Sequence, residues 1–208
     1  MKYKGVICRG AGELEFPFRQ AIAKAQGFRW AYYPWICNDR GEDITSGHYR
    51  NEIHNNSSIG LSAWKAAGTP ADKAFLEDTS HPILEGVADF LVSRAVRDPV
   101  GSWRLRCVMP PDESVAECHH AGTGDDSVLA NVGARTVLRW GVEAARLLGR
   151  PAPPEWTEVA DKLVVLAPGP DVVIPEYAEC SGHVIKLADT VGFLSPRTGS
   201  RSGNFDED

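Results

Sequence analysis

The run Cys107-Val108-Met109-Pro110-Pro111-Asp112-Glu113 sets two prolines and two carboxyl groups at the end of a short extended segment. Alternation of Trp103, Leu105 and Cys107 with Arg104 and Arg106 predicts a strand from Trp103 to Val108. The prolines stop that strand and fix the backbone, so Asp112 and Glu113 are presented from a stiff loop. A rigidly held, partly desolvated carboxyl group suits general acid catalysis, because burial raises its pKa and keeps the proton available near neutrality. Pro-Pro-Asp-Glu is also the composition of an ordinary surface turn, so the rest of the chain must decide between the two readings.

Other groups compete for chemical roles. Glu52 and His54 lie in Asn51-Glu52-Ile53-His54-Asn55-Asn56; two residues apart, they do not share a helix face. Both can line a site only if the segment is irregular or begins a helix, and Glu52 is equally explained as a first-turn acid facing the helix dipole. Asp125 and Asp126 precede a long helical pattern and are read as its caps. Cys118-His119-His120 invites a metal, but adjacent residues rarely share one ion and no second ligand pair has a convincing spacing, so no metal is expected. The aromatic run Trp30 to Trp35 suits either a core or a sugar platform. Gly10-Ala11-Gly12 lacks the strand and helix of a dinucleotide fingerprint, and neither a G-x-S-x-G elbow nor a P-loop occurs.

The elements that must position these groups are mostly helical. Phe18 to Gln26 reads as a helix ended by Gly27, and Asn51 to Ala67 as a second ended by Gly68, with Ile53, Ile59, Leu61 and Trp64 as its apolar residues. A third opens at Thr69 and Pro70 and carries Phe75, Leu76, Ile83, Val87, Phe90 and Leu91; Pro82 should kink or split it near His81. Val128 to Leu148 is a long helix with Val128, Val132, Leu138, Val142, Ala145 and Leu148 on one side and Gly149 as its stop. Glu155 to Leu163 is a shorter one behind Pro153 and Pro154. The strand–helix rhythm of a parallel sheet is missing.

With 208 residues the chain can build one sizeable core. A formal net charge of −6, with no basic patch, disfavours nucleic acid and suits neutral or weakly charged substrates. The start of the sequence has no apolar stretch long enough for a signal peptide and no segment approaches a membrane span, so a cytoplasmic protein without membrane association is expected. The five scattered cysteines, with no C-x-x-C pair, read as reduced and mostly buried thiols.

Taken in order, the motifs resemble glycoside hydrolase family 65, which includes maltose, trehalose and kojibiose phosphorylases, acid trehalases and the glucosidase acting on glucosylgalactosyl-hydroxylysine. Gly27-Phe28-Arg29-Trp30 through Tyr33-Pro34-Trp35 and the acidic loop Asp39 to Asp43 resemble the family's glycine, aromatic, Pro-Trp stretch. Glu52-Ile53-His54 resembles its Glu-x-His, and Phe90-Leu91-Val92-Ser93-Arg94 its helix ending in Ser-Arg. Pro111-Asp112-Glu113 resembles the Pro-Asp-Glu whose Glu is the general acid. Asp126 to Asn131 resembles the Asp/Asn-rich start of the following helix, and Trp156, Val159 and Ala160 its Trp-x-x-Val-Ala. Glu176-Tyr177 and Ile185-Lys186-Leu187-Ala188-Asp189 resemble the Glu-Tyr and Lys-Gln-Ala-Asp elements. The resemblance covers about residues 19 to 196. Ser114 stands where the family carries an aromatic, Leu187 where it carries glutamine, and Cys118 to Gly124 diverges.

The resemblance implies a mainly α chain, a partial (α/α)6 barrel over 1–196 with a short strand or hairpin carrying the acid loop; the polar composition of 197–208 predicts a disordered tail. It implies an inverting hydrolase or phosphorylase of α-glucosides, with Glu113 as general acid and Trp35, Glu52, His54, Asp112 and Lys186 at the substrate. No cofactor or metal is implied; the partners are an α-glucoside and, for a phosphorylase, phosphate. Water as the attacking group would need a second carboxylate roughly 6.5–9.5 Å from the acid, and the sequence marks no candidate. The family's upstream Asp-x-Glu and its downstream phosphate or base residues are also unmatched, so an incomplete catalytic domain is expected. Uncovered helix faces would then favour association. A catalytically inactive helical module that binds a carbohydrate or a partner chain is the alternative.

Overall fold

The computed structural model describes residues 31–38, 42–68, 73–111, 124–168 and 174–178, together with Lys24, Gly27, Arg29 and Cys180. Most of the first expected helix, the Thr69-Pro70 start and the tail lie outside the described residues. Among the described residues the fold is mainly helical: α1 (His54–Ala66), α2 (His81–Arg94), α3 (Val128–Leu148) and α4 (Pro154–Lys162), with a two-stranded antiparallel hairpin of β1 (Val96–Arg97) and β2 (Trp103–Arg104) between α2 and α3. This is the packing of a partial (α/α) barrel, as expected. No described helix is long and apolar enough to cross a membrane.

The ends of the elements follow local chemistry. Gly68 and Gly149 adopt the left-handed conformation (φ +68° and +70°) that stops α1 and α3. Pro82 lacks the N–H that would continue an α-ladder, and the chain enters α2 through a wider π-turn, Leu76–Ser80, in which the His81 N–H reaches the Leu76 carbonyl. The expected interruption near His81 is therefore real.

α3 is central and packs against α1, α2 and α4. Leu61, Leu84, Val87, Leu91, Ala134, Val137 and Trp140 share one core, and Ala88, Val92, Leu138, Trp156, Val159 and Ala160 share a second beneath α4. The buried face of α3 is broader and smaller in its side chains than the apolar series predicts, taking in Ala130, Asn131, Gly133, Ala134 and Gly141, while Val132, Val142 and Leu148 are half-buried. The small residues let the helices close. A Cβ on Gly60 of α1 would stand 2.8 Å from both γ-methyls of Val137, and one on Gly133 would stand 2.8 Å from the Ser57 Cβ.

The strand expected over Trp103 to Val108 is shorter. After Arg104 the backbone finds partners outside the hairpin: the Leu105 carbonyl accepts from Asp126 N–H (2.9 Å) and the Val108 N–H donates to the Gly124 carbonyl (2.7 Å). Cys107 takes φ +54°, which no ladder accommodates. The side-chain alternation survives in part: Leu105 is buried and Arg106 exposed. Cys107 is disulfide-bonded, while Cys37 and Cys180 carry free thiols and Cys37 is exposed; the expectation of reduced, mostly buried thiols is corrected for the oxidation state of Cys107 and the burial of Cys37. Scattered positions in the sequence hide which thiols meet in space.

Candidate active site

Three segments meet where the Pro-Pro loop begins. The first is the aromatic stretch. Its backbone is pinned to the start of α1 by two asparagines: Asn56 Oδ1 accepts from Tyr33 N–H (2.8 Å), and Asn55 Nδ2 donates to the carbonyls of Tyr33 (2.8 Å) and Pro34 (3.1 Å). These side chains hold a neighbouring segment instead of capping their own helix. Tyr32 is buried against Phe90, ring centroids 5.1 Å apart. Burial pushes its phenol up to about 12; Asp43 and Glu52 act in the same direction and Arg50 and Arg94 oppose them. Trp35 is 39% exposed, and its ring lies 5.2 Å from that of His54.

The second segment is the junction before α1. A 3-10 turn, Gly47–Asn51, ends at Glu52, and His54 is the first residue of α1. The segment is thus irregular, the condition under which residues 52 and 54 can face one site. Glu52 is sealed from solvent and lies two residues ahead of the helix, not within its first turn. Burial lowers the His54 imidazole to about 4, although the nearby Met109 backbone favours its charged form. His54 is thus neutral near pH 7. Its ring also borders a cleft of about 50 Å³ between α1 and α3, lined by Ser57, Leu61, Gly133, Val137 and Trp140.

The third segment is the stem of the Pro-Pro loop. The Met109 N–H donates to the Asn51 carbonyl (3.0 Å), which ties the stem to the Glu52–His54 junction. Val108, Met109 and Pro110 are buried. On its other side, Arg94 Nη2 donates to the carbonyls of Arg106 (2.5 Å) and Cys107 (3.0 Å), and Asp125 Oδ1 accepts from Cys107 N–H (2.9 Å). Asp126, fully buried with φ +55°, pairs with Arg104, while Asn131 Nδ2 donates to Asp126 Oδ1 (3.3 Å) and to the Val164 carbonyl (2.6 Å). Burial raises the Asp126 pKa, and Arg104 opposes this.

Trp35, Glu52 and His54 are therefore brought together beside the root of the loop. Asp112, Glu113, Lys186 and the Cys118-His119-His120 run lie outside the described residues. The expectation that Asp125 or Asp126 caps α3 is corrected: Ser127 is the cap, accepting from Ala130 N–H at 3.4 Å, and the two acids turn back to the stem. A better cap one residue on was the signal that both acids were surplus to capping. Arg94 was legible as the Ser-Arg end of a helix and as a cation there, but not as a partner of the loop stem.

Comparison with known proteins gives this geometry a setting. Residues 14–177 match the family described as "Glycosyl hydrolase family 65 central catalytic domain". The chain is 33% identical over 180 residues to a kojibiose hydrolase of Mucilaginibacter mallensis, covering 82% of this chain and 25% of that protein. It is 30% identical over 174 residues to a protein-glucosylgalactosylhydroxylysine glucosidase of Gallus gallus, covering 81% and 24%. A solved structure, a putative kojibiose phosphorylase from human microbiome, superposes with a TM-score of 0.65 at 14% identity over 78% of this chain and 25% of its own. The chain thus spans about a quarter of the length of these relatives.

Proposed function

We propose a function from one premise: this chain belongs to glycosyl hydrolase family 65. It carries the acid loop of an α-glucoside-cleaving site. Glu113 protonates the glycosidic oxygen as the bond to the anomeric carbon breaks, and water or phosphate attacks the opposite face with inversion. Trp35 offers its half-exposed ring to the sugar, and His54, neutral near pH 7, stands beside it. Glu52, Asp112 and Lys186 are assigned to the sugar hydroxyls, Glu52 from a buried position.

The observation that carries this reading is the meeting of the Trp35–His54 pair with the stem of the Pro-Pro-Asp-Glu loop through the Met109–Asn51 bond. A surface turn needs no such anchor. The test measures glucose, or glucose 1-phosphate when phosphate is added, released from kojibiose, trehalose, maltose and nitrophenyl α-glucoside by the purified chain and by Glu113→Gln. The reading expects release that the substitution lowers by at least about a hundredfold on the disaccharides. Release from the disaccharides that survives the substitution overturns the assignment of the acid. Sugar binding with no release from the unaltered chain favours the inactive binding module.

A further inference from the structure

Between Leu105 and Met109 the backbone is fixed by bonds to three other parts of the molecule: the 124–126 stretch, Arg94 at the end of α2, and Asn51. The Leu105 carbonyl is held by Asp126 N–H, the Arg106 and Cys107 carbonyls by Arg94, the Cys107 N–H by Asp125, the Val108 N–H by Gly124 and the Met109 N–H by Asn51. Two of the participants, Cys107 and Asp126, are non-glycine residues at positive φ. Such conformations persist only where the surroundings over-determine them, and they concentrate at functional sites.

We propose that Arg94 and Asp125 are positioning residues for the acid: together they grip the Cys107 peptide unit from both sides and so aim the Pro110-Pro111-Asp112-Glu113 loop. The proposal rests on the reading of Glu113 as general acid. Both bonds come from one Arg94 nitrogen, Nη2, whose two hydrogens reach two consecutive carbonyls that a left-handed residue has turned to the same side. Asp125 completes the grip: one carboxylate oxygen takes the Cys107 N–H and the other pairs with the Arg106 guanidinium (2.5 Å). Its own carbonyl accepts from Ala178 N–H (2.9 Å), which anchors it independently of the stem. Arg94 closes α2 and Asp125 precedes α3, so the clamp spans the two helices that share the core. Beyond Met109 the two prolines carry the orientation forward with few free torsions. Burial pushes the Arg94 pKa down and the Asp125 charge counters it, as expected of a half-buried guanidinium held for its geometry.

The test uses the full chain as Arg94→Met, Arg94→Lys, Asp125→Ala and Asp125→Asn, read by amide hydrogen exchange and by steady-state turnover of nitrophenyl α-glucoside and kojibiose. Arg94→Met and Asp125→Ala are expected to speed exchange at Val108 and Met109 by about tenfold or more, with the interior amides of α2 and α3 unchanged. In the same variants kcat should fall about 10–100-fold with KM within about twofold, the mark of a misplaced acid and not of a damaged sugar pocket. Asp125→Asn, which keeps an acceptor for the Cys107 N–H, and Arg94→Lys, which can reach one carbonyl, should recover part of both effects. Stem exchange that does not change, or that rises together with the helix amides, overturns the proposal, as does a rise in KM at constant kcat. If the unaltered chain turns over neither substrate, the acid reading fails, and the exchange measurements alone then decide whether Arg94 and Asp125 clamp the stem.

Discussion

Where α1 and α3 meet, glycine and alanine bring the backbones together and the contact is apolar, Gly60 on Val137 and Leu61 beside Trp140. A few residues away, the loop stem from Leu105 to Met109 is held by directed polar bonds to Arg94, Asp125, Asp126, Gly124 and Asn51. The first region stabilises by area and close packing, and it tolerates small sliding. The second adds less to stability per contact but fixes direction, because each hydrogen bond constrains an angle as well as a distance. A catalytic group needs direction, so a sugar-cleaving site is best mounted on the second kind of structure and supported by the first.

That contrast can be broken from either side. The largest effect should come from the packed region. Trp156 is buried on the inner face of α4, and its indole N–H donates to Asp89 Oδ1 (2.7 Å), so Trp156→Ala should cost about 3–5 kcal/mol in denaturant unfolding. A loss below about 1 kcal/mol would show that the second core contributes little. Next, Arg104→Met leaves the Asp126 carboxylate buried without its charged partner and should cost about 3 kcal/mol, visible in the same unfolding series.

His54 sharpens the comparison through pH. Its folded-state pKa, about 4, lies below the ordinary 6.5. The unfolded chain therefore binds the proton first as pH falls, and the stability associated with neutral His54 is complete above pH 6.5 and lost progressively down to about pH 4. At about 1.4 kcal/mol per pKa unit, discounted for the ring's partial exposure, the loss is on the order of 2 kcal/mol. The difference in melting temperature between the unaltered chain and His54→Asn should narrow over that range. The smallest effect belongs to the surface: Arg29 and Glu155 pair at 3.1 Å with both side chains more than half exposed, and Arg29→Ala should change stability by less than about 0.5 kcal/mol.

The two regions also differ in how much the sequence reveals. α3 was legible because its apolar spacing is long and Gly149 marks its end. The interruption near His81 was legible because the N–H that Pro82 lacks is a local fact, although its form as a π-turn over Leu76–Ser80 was not. The stem was not. Asp125 reaches 18 and 19 residues back to Cys107 and Arg106, and no local pattern distinguishes such an acid from a helix cap. The strand expected to run to Val108 ends at Arg104 for the same reason: its later backbone groups are satisfied by distant partners. Glu52 stood out in the sequence by its spacing from His54, yet its complete burial behind the 3-10 turn is something periodicity does not show.

The most direct test of the central claim, that the clamped loop presents Glu113 as a proton donor, compares leaving groups in Glu113→Gln. A general acid matters most when the departing oxygen is a poor leaving group. The account predicts that Glu113→Gln loses at least about a hundredfold in kcat/KM on kojibiose but less than about tenfold on nitrophenyl α-glucoside, whose phenolate departs with little help. Equal losses on both substrates, or none on either, would contradict it.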